Sequence, residues 1–358
     1  MSKINILVSG TSKTFAPNVP VLKSCPEFAR QFSADKFNLI SDGKCKFLIL
    51  FNHEKKIYRN FIKSGGNPRH AVLIRLEPDT VFPAQYKKRI EDNYGLVVSP
   101  GSNKNFSGSE SFIGWPYKYH LNPAEPNSKD PDLRLALNRN TLDDLFSLEN
   151  WKQRSHTLVM IAANKVSPKS RSNYSIRRDL AKNADSRLLE VYGALWNESI
   201  YLKARHRLAV FVAAIKQGTY PDLWQIYASL FTNYQTTKGP IPDKHKLLRE
   251  TKFNLIVENS NTIVTEKIFD ALVNGSIPVY IGPNLNSFGM PNGVAIEVTG
   301  GMSNIEALIE SINDEEINLY LEAMKKFISS EYFRSNWPSE EVYKKIAMVV
   351  KNYLESIN

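Results

Sequence analysis

Short apolar runs alternate with more polar segments through the first half of the chain. Four runs rich in Val, Ile, Leu or Phe end in polar loops, at residues 4–8, 47–51, 71–76 and 96–98. Continuous apolar runs of this length, bounded by turn residues, are typical of buried strands in a parallel sheet. The segments between them, such as 55–62 and 85–93, are predicted as crossover helices. Residues 1–150 are therefore predicted to form an α/β domain.

A second alternating series occupies the next part of the chain. It predicts helices at 174–183 and 266–274, together with strands at 157–163, 188–192, 253–257 and 277–281. Gly275 follows the last helix, where a left-handed residue commonly ends a helix. This series predicts a second α/β domain over residues 151–340. Apolar residues at helical spacing then predict a C-terminal helix over 341–358 that packs on the two lobes.

Membrane spanning and classical secretion are not expected. The chain has 358 residues, and its longest unbroken apolar run, residues 208–215, has eight. A membrane-spanning helix needs about 18 or more such residues. The apolar stretch at the amino terminus is too short and too polar for a signal peptide, and Cys25 and Cys45 are too few for a disulfide framework. We expect a cytoplasmic protein, with at most a peripheral contact to the inner face of the membrane.

The charge balance is strongly basic. Lys and Arg number 46 against 36 Asp and Glu, which gives a net charge of +10. Such an excess favours nucleotide phosphates, nucleic acid or an anionic membrane surface as partners. Nucleic-acid binders usually interleave basic clusters with exposed aromatic residues, whereas these basic residues are spread along the chain. No nucleic acid is therefore expected, and a non-enzymatic nucleic-acid binder is kept as a remote alternative. Residues 343–354 could form a weakly amphipathic surface helix, but their many apolar residues favour packing on the lobes.

The segment most informative about chemistry is residues 252–272, which is predicted as a strand, a polar loop and a helix. In open α/β sheets ligands bind beyond the carboxyl ends of strands, and phosphates favour helix amino termini. Thr265, Glu266 and Lys267 occupy that position. A lysine there can neutralise a pyrophosphate, and a carboxylate can accept both hydroxyls of a ribose. The pattern alone favours a structural interpretation, in which Thr265 is an N-cap and Glu266 complements the helix dipole.

Residues 253–282 as a whole resemble the signature of the glycosyltransferase family 10 fucosyltransferases. The signature runs Phe-x-x-x-x-Glu-Asn-Ser, a short loop, Thr-Glu-Lys, a helix and Pro-Val-x-x-Gly, which corresponds here to residues 253–260, 265–267 and 278–282. Weaker similarities extend over most of the chain, at Leu76-Glu77-Pro78, Trp115-Pro116-Tyr117, Asn164-Lys165, Arg177-Arg178 and Tyr192-Gly193.

The resemblance implies a GT-B architecture, in which two Rossmann-like doubly wound lobes face a cleft and carry a helical tail. It implies inverting transfer of fucose from GDP-fucose, held by the second lobe, to an oligosaccharide or glycolipid hydroxyl. An α1,3 linkage to N-acetylglucosamine or glucose is expected. No metal is expected to be obligatory, and a divalent ion would act only as a stimulant. A tyrosine common in the family is Ile263 here, which leaves another nucleotide sugar such as GDP-mannose as the alternative donor.

The resemblance also implies the residues that bind the donor. Arg177 and Lys267 would hold the diphosphate, and Glu266 would bind the donor at its ribose. Asn259 would shape the sugar end of the pocket. The remaining donor contacts would come from Glu258, Tyr192 and Gly193.

Arg171 competes with Arg177 for the phosphate role. The spacing after Asn164 permits either arginine, and the distance to the Tyr-Gly pair at 192–193 favours Arg177. Lone arginines on helices are usually exposed or salt-bridged, so this assignment depends on the family spacing.

Glu77 is the candidate catalytic residue. It follows the apolar run 71–76 and precedes Pro78, which favours an extended conformation at Glu77. Its carboxylate is therefore expected at the carboxyl end of a strand. Inverting transfer needs a general base to take the proton of the acceptor hydroxyl, and a well-placed carboxylate contributes about 10²–10⁴-fold in rate. Asp79 is the alternative base, and without the resemblance a solvated loop glutamate is the simpler interpretation.

Overall fold

A computed structural model describes residues 3–10, 26–32, 36–100, 110–112, 143–168 and 172–358. These residues form two compact units. The first unit holds the described residues up to 112 together with Ser335–Asn358, and the second unit holds residues 143–334. Three features predicted from the sequence lie outside the described residues, namely Cys25, the motif at 115–117 and Arg171.

Six strands form the sheet of the first unit: β1 Ile4–Gly10, β2 Phe37–Ile40, β3 Phe47–Phe51, β4 Ala71–Ile74, β5 Leu96–Pro100 and β6 Glu110–Phe112. They are parallel and lie in the order β2-β1-β3-β4-β5-β6. The unit also contains the helices α1 Pro26–Arg30, α2 Lys55–Lys63 and α3 Lys88–Glu91. All four apolar runs predicted as strands contribute a strand to this sheet, and in the run 71–76 the strand ends at Ile74.

Helices cover both faces of this sheet. Phe47, Ile49 and Phe51 of β3 belong to the core on the face covered by α1, whereas Leu48 and Leu50 belong to the core on the face covered by α2. Alternate residues of a strand point to opposite faces of a sheet. A strand buried on both faces is therefore apolar throughout, which explains the continuous run at 47–51.

A second six-stranded sheet forms the other unit, from β7 His156–Ile161, β8 Leu189–Tyr192, β9 Thr237–Gly239, β10 Thr251–Val257, β11 Ile277–Ile281 and β12 Ile296–Glu297. These strands are parallel in the order β12-β11-β10-β7-β8-β9. The helices of this unit are α4 Leu148–Lys152, α5 Tyr174–Asn183, α6 Ile200–Gln217, α7 Leu223–Phe231, α8 Lys244–Arg249, α9 Glu266–Leu272, α10 Met302–Ser311 and α11 Asp314–Ile328. Helix α12, Glu331–Asn336, begins in this unit and ends in the first. Gly275 adopts φ +67° after α9, as predicted.

The boundary between the units differs from the predicted one at residue 150, because residues 143–150 belong to the second unit. The contacts of Trp151 on α4 give the reason. Its ring packs against Phe253 with the centroids 5.2 Å apart, and its indole Nε1 donates to the Lys252 carbonyl at 3.0 Å. Helix α4 therefore packs on β10 and belongs to the unit that contains that strand.

The C-terminal helix α13, Ser339–Ser356, completes the core of the first unit. Its buried face consists of Val342, Tyr343, Ile346, Ala347, Val350 and Leu354. The helix predicted over 341–358 to pack on the lobes is thus an integral part of one unit. The apolar residues at 343–354 that could have met a membrane lie largely in this core. Within the described ranges, no helix is both long and apolar enough to cross a membrane.

Candidate active site

A buried carboxylate anchors the loop after β10. Glu258 is fully buried and accepts two hydrogen bonds from Thr265, from the main-chain N–H at 2.8 Å and from the hydroxyl at 2.6 Å. Thr265 occupies the N-cap position of α9, but its hydroxyl makes no capping bond to that helix. The carboxylate instead closes the loop over residues 258–265 and fixes the start of α9.

Lys267 extends from the first turn of α9 into the same cluster. Its Nζ donates to the Thr265 hydroxyl at 2.7 Å and lies 3.6 Å from Glu258 Oε2 and 3.5 Å from Glu266 Oε1. The Lys267 side chain keeps 17% of its surface exposed, whereas that of Glu258 keeps none. The ammonium group is therefore close to two carboxylates, on a side chain that is still partly exposed.

Glu266 is held in its ionised form. Burial by itself would raise the pKa of this carboxyl group, but the ammonium groups of Lys267 and Lys244, together with hydrogen bonds, hold the pKa below its usual value. Lys244 is in turn placed by Asp270, whose Oδ1 lies 2.9 Å from its Nζ. The Glu266 side chain remains 31% exposed. An accessible carboxylate of this kind can accept hydrogen bonds from a pair of hydroxyl groups.

Arg177 on α5 connects that helix to the carboxyl end of β10. Its Nε donates to the Val257 carbonyl at 3.0 Å, and its Nη2 donates to Asn259 Oδ1 at 2.9 Å. Burial lowers the pKa of the guanidinium, and Glu258 and Glu266 oppose that shift. The structure thus brings five predicted residues into one cluster: Arg177, Glu258, Asn259, Glu266 and Lys267.

Tyr192 and Gly193, also predicted to contact the donor, make their described contacts along β7 and β8. The Tyr192 hydroxyl donates to one Glu190 oxygen at 2.9 Å, and the other Glu190 oxygen lies 2.6 Å from His156 Nδ1. Gly193 has φ +144°, and a Cβ added there would lie 2.3 Å from the Ala162 carbonyl oxygen. This close approach of two backbone segments requires glycine.

Asn164 belongs to the motif that carries the resemblance, but it was not among the predicted donor residues. It lies just beyond β7, and its side chain is 1% exposed. Neither amide atom has a hydrogen-bond partner among the described residues. Its main-chain carbonyl accepts from Arg207 Nη2 at 2.6 Å. A buried polar group without a partner is unfavourable by about 1–3 kcal/mol, so this amide is suited to a ligand contact.

Ile263 stands where the family often has a tyrosine. Its side chain is buried, with 3% exposed, and the adjacent Val264 is 5% exposed. The residue at this position therefore packs into the protein and offers no hydroxyl group to a bound sugar.

Glu77 lies just beyond β4 in the first unit, and its backbone is held on both sides. Its N–H donates to Asn52 Oδ1 at 3.2 Å, and its carbonyl accepts from Gln85 Nε2 and the Tyr86 hydroxyl, both at 3.0 Å. Asn52 Oδ1 also accepts from the Leu76 N–H at 2.8 Å. Asn52 has φ +64°, a left-handed conformation that asparagine adopts more readily than most residues. These bonds fix the peptide that carries the candidate base.

His53 and Gln85 contribute to this arrangement and were not predicted as site residues. Gln85 is fully buried, and its Oε1 accepts from the His53 main-chain N–H at 3.2 Å. The His53 ring lies with Nδ1 2.6 Å from the Tyr94 hydroxyl. Burial lowers the pKa of His53 to about 4, so the ring is neutral at pH 7. The signal that could have identified His53 is its place two residues after the apolar run at 47–51.

Comparison with known proteins agrees with this architecture at the level of fold. Neither a protein-family model nor a curated protein matches the sequence. A crystal structure of an alpha1,3-fucosyltransferase with GDP aligns with a TM-score of 0.53 over 99% of this chain and 91% of that chain, at 14% identity. The structures of an alpha1,3-fucosyltransferase with GDP-fucose and without a named ligand give TM-scores of 0.50 and 0.53, at 12% and 15% identity, with 99% of this chain and 91% and 90% of those chains covered.

The chain shares the fold of these three alpha1,3-fucosyltransferase structures. The predicted class, α/β with two Rossmann-like parallel-sheet domains of the GT-B type, is therefore confirmed. The resemblance that the motifs indicated is confirmed to the same extent, since identities of 12–15% establish a shared fold.

Proposed function

We propose that the protein is an inverting glycosyltransferase that moves fucose from GDP-fucose to a hydroxyl group of an oligosaccharide or glycolipid. The observation that supports this most directly is the charged cluster around Lys267 at the carboxyl end of β10. Structures that share the fold include complexes with GDP-fucose and with GDP. An α1,3 linkage to N-acetylglucosamine or glucose and a cytoplasmic location stay predictions from the sequence.

Lys267 and Arg177 would hold the donor diphosphate. The Lys267 Nζ has a neutral hydroxyl as its nearest partner, at 2.7 Å, while both neighbouring carboxylates lie at 3.5 Å or beyond. Phosphate oxygens could therefore approach the ammonium group without breaking a short ion pair. Positive groups fixed in advance stabilise the negative charge that develops on departing GDP. Because these two side chains supply that charge, no metal is required, and a divalent ion would act as a stimulant.

Glu266 and Asn259 would contact the rest of the donor. The ionised Glu266 can accept hydrogen bonds from the two ribose hydroxyls, and Asn259, oriented by Arg177, would border the sugar. The unpaired amide of Asn164 would provide one further hydrogen bond. Glu258 acts through Thr265 and is therefore a positioning residue.

Tyr192 and Gly193 would border the donor at the end of β8. The Tyr192 hydroxyl is already engaged by Glu190, so its contribution would come from the ring. The Gly193 main chain, packed against Ala162, would set the position of the loop that follows β8.

Glu77 would act as the general base. It would take the proton of the acceptor hydroxyl while that oxygen bonds to the anomeric carbon and the bond from this carbon to the diphosphate oxygen breaks. The sugar configuration then inverts, and GDP carries away the electron pair. Asn52, Gln85 and Tyr86 hold the Glu77 backbone, which limits the positions its carboxylate can take. Asp79, two residues further on, remains the alternative base.

Incubation with GDP-fucose and an acceptor panel built on galactose and N-acetylglucosamine tests this function, with GDP release and product mass as readouts. Glu77→Gln should lower kcat by about 10²–10⁴-fold, and Lys267→Ala should lower it by about 10²–10³-fold. The controls are the exposed Asp92→Asn and Lys246→Ala. Turnover of another nucleotide sugar, with GDP-fucose left intact, would exclude fucose as the transferred sugar.

GDP-mannose is the second candidate donor, because buried Ile263 provides no hydroxyl contact for a fucosyl ring. Thermal shifts with GDP, UDP and CMP test the base first. A larger shift with GDP is expected for both candidates, and a larger shift with UDP would contradict both. Competition between GDP-fucose and GDP-mannose for transfer then separates the two sugars.

A further inference from the structure

The two helices α6 and α7 carry most of the exposed apolar surface of the described chain. Of 17 large hydrophobic residues that are exposed there, 12 belong to this helical hairpin or its connection. We refer to these 12 residues as the hairpin face: Ile200, Tyr201, Leu202, Leu208, Phe211, Val212, Ile215, Tyr220, Leu223, Trp224, Tyr227 and Phe231. Exposed apolar surface concentrated in one region marks an interaction site.

In helix α6 the apolar side is exposed and charged side chains are buried, which is the reverse of an ordinary surface helix. Tyr201, Leu208 and Ile215 follow one another at intervals of seven residues, lie on one side of the helix, and are 71%, 63% and 61% exposed. Lys203 and Arg207 are buried on another side. A helix that packs on a soluble protein normally places its apolar side inward and its charges outward.

The buried charges of α6 are hydrogen-bonded to neighbouring segments. Arg207 donates from Nε to the Ser229 hydroxyl at 2.7 Å and from Nη2 to the Asn164 carbonyl at 2.6 Å. Lys203 Nζ donates to the Trp196 carbonyl at 3.4 Å. Hydrogen bonds lower the cost of burying a charged group, and these are accepted by main-chain carbonyls and a hydroxyl. The orientation of α6 is therefore fixed by specific bonds, and its apolar side is held outward by them.

Helix α7 continues the exposed surface with aromatic rings. Leu223, Trp224, Tyr227 and Phe231 share one side of this helix, and the buried Ser229 lies on another. The rings of Trp224 and Tyr227 stack with centroids 5.6 Å apart, and those of Tyr227 and Phe231 are 4.9 Å apart. Trp and Tyr side chains are enriched where a protein meets the headgroup region of a membrane.

The charge of the hairpin distinguishes between two partners. Residues 200–231 contain four basic side chains and one acidic side chain, and the exposed charged ones, Arg205 and Lys216, are both basic. The single acidic residue, Asp222, caps α7 by accepting from Gln225 N–H. A second copy of the chain would bring like charges together, whereas anionic lipid headgroups would complement them. Each basic residue near an anionic bilayer contributes about 1 kcal/mol.

We propose that the hairpin face is a peripheral docking surface for an anionic phospholipid bilayer. The apolar and aromatic side chains would enter the boundary between headgroups and acyl chains, and Arg205 and Lys216 would contact the lipid phosphates. The hairpin needs none of the donor chemistry for this role. This proposal assigns the membrane contact to the second unit. Helix α13 of the first unit does not offer such a contact, because its apolar side is buried in the core.

Co-sedimentation with vesicles tests the docking surface directly, using the full-length protein. Binding should be strong to vesicles of phosphatidylcholine mixed with phosphatidylglycerol and weak to phosphatidylcholine alone. Leu208→Ser should weaken binding about tenfold, since it removes one buried apolar side chain from the contact. Leu319→Ser, at a leucine 59% exposed on α11, is the matched control and should leave binding unchanged. Arg205→Gln and Lys216→Gln should each weaken binding about fivefold.

Trp224 provides a second readout, its fluorescence, which can be followed in the wild-type protein. It is 70% exposed, whereas the other described tryptophans, Trp151, Trp196 and Trp337, are buried. Its fluorescence should shift to shorter wavelength with anionic vesicles and be quenched by lipids brominated on their acyl chains. Trp224→Phe should remove both signals.

Three outcomes would overturn the proposal. One is the absence of vesicle binding by the wild-type protein. Another is equal weakening by Leu208→Ser and Leu319→Ser. The third is a concentration-dependent dimer in sedimentation analysis that Leu208→Ser dissociates while vesicles fail to bind, which would assign the face to a second copy of the chain.

Discussion

Helices α6 and α13 are both 18 residues long, yet they bury opposite kinds of side chain. Helix α13 turns Val342, Ile346 and Val350 into the core of the first unit. Helix α6 turns Lys203 and Arg207 inward and leaves its apolar side outside. A helix that supplies apolar residues to a core stabilises its own fold, whereas a helix bound through its charges keeps its apolar residues for a partner.

The largest difference between the two helices should appear in stability. Ile346 is 1% exposed on α13, and Ile215 is 61% exposed on α6. Ile346→Ala should lower the free energy of unfolding by about 2–5 kcal/mol, because it leaves a cavity. Ile215→Ala should change it by less than about 0.5 kcal/mol. Urea unfolding of both variants measures the difference, and equal losses would show that α6 packs against a core after all.

A smaller effect should separate the inner and outer charges of α6. Arg207→Leu would leave the Ser229 hydroxyl and the Asn164 carbonyl without this donor, which should destabilise the protein by about 1–3 kcal/mol. Arg205→Leu, on the exposed side, should have almost no effect on stability. Chemical denaturation compares the pair. Should Arg207→Leu be neutral, the inward orientation of α6 would have to depend on other contacts.

The smallest effect concerns local opening of the two helices. Amides of α13 should exchange with solvent close to the rate of global unfolding, because core elements open with the whole unit. Amides of α6 should exchange faster in buffer and slow a few-fold when anionic vesicles are added. Hydrogen exchange followed by mass spectrometry resolves the two segments. If vesicles slowed amide exchange in α13 and not in α6, the membrane contact would belong to the first unit, which would contradict the proposal.

The parts of the fold that could be predicted are those in which a local sequence pattern is compatible with only one structure. The strand at 47–51 is apolar throughout because both faces of its sheet are covered. Gly275 predicted the end of α9 because a left-handed residue that follows a helix is most often glycine. The Thr-Glu-Lys step at 265–267 could be placed because a strand, a loop and a helix surround it in sequence.

The parts that could not be predicted depend on partners far along the chain. Residues 143–150 join the second unit because Trp151 packs on Phe253, about a hundred positions later. The support of Glu77 comes from Asn52 and Gln85, which lie on different elements.

The direction of α6 was equally hidden in the sequence. The run at 208–215 excluded a membrane span by its length, but a run of apolar residues does not show which side of its helix faces the protein. That side is determined by the carbonyls of Trp196 and Asn164, which follow β8 and β7.

Arg207 joins the hairpin to Asn164 with one guanidinium group. Once the hairpin face is bound to lipid, these two hydrogen bonds would hold the end of β7 at a constant distance from the bilayer. If the protein transfers a sugar as proposed, the donor residues near Asn164 would then lie at one distance from the lipid surface.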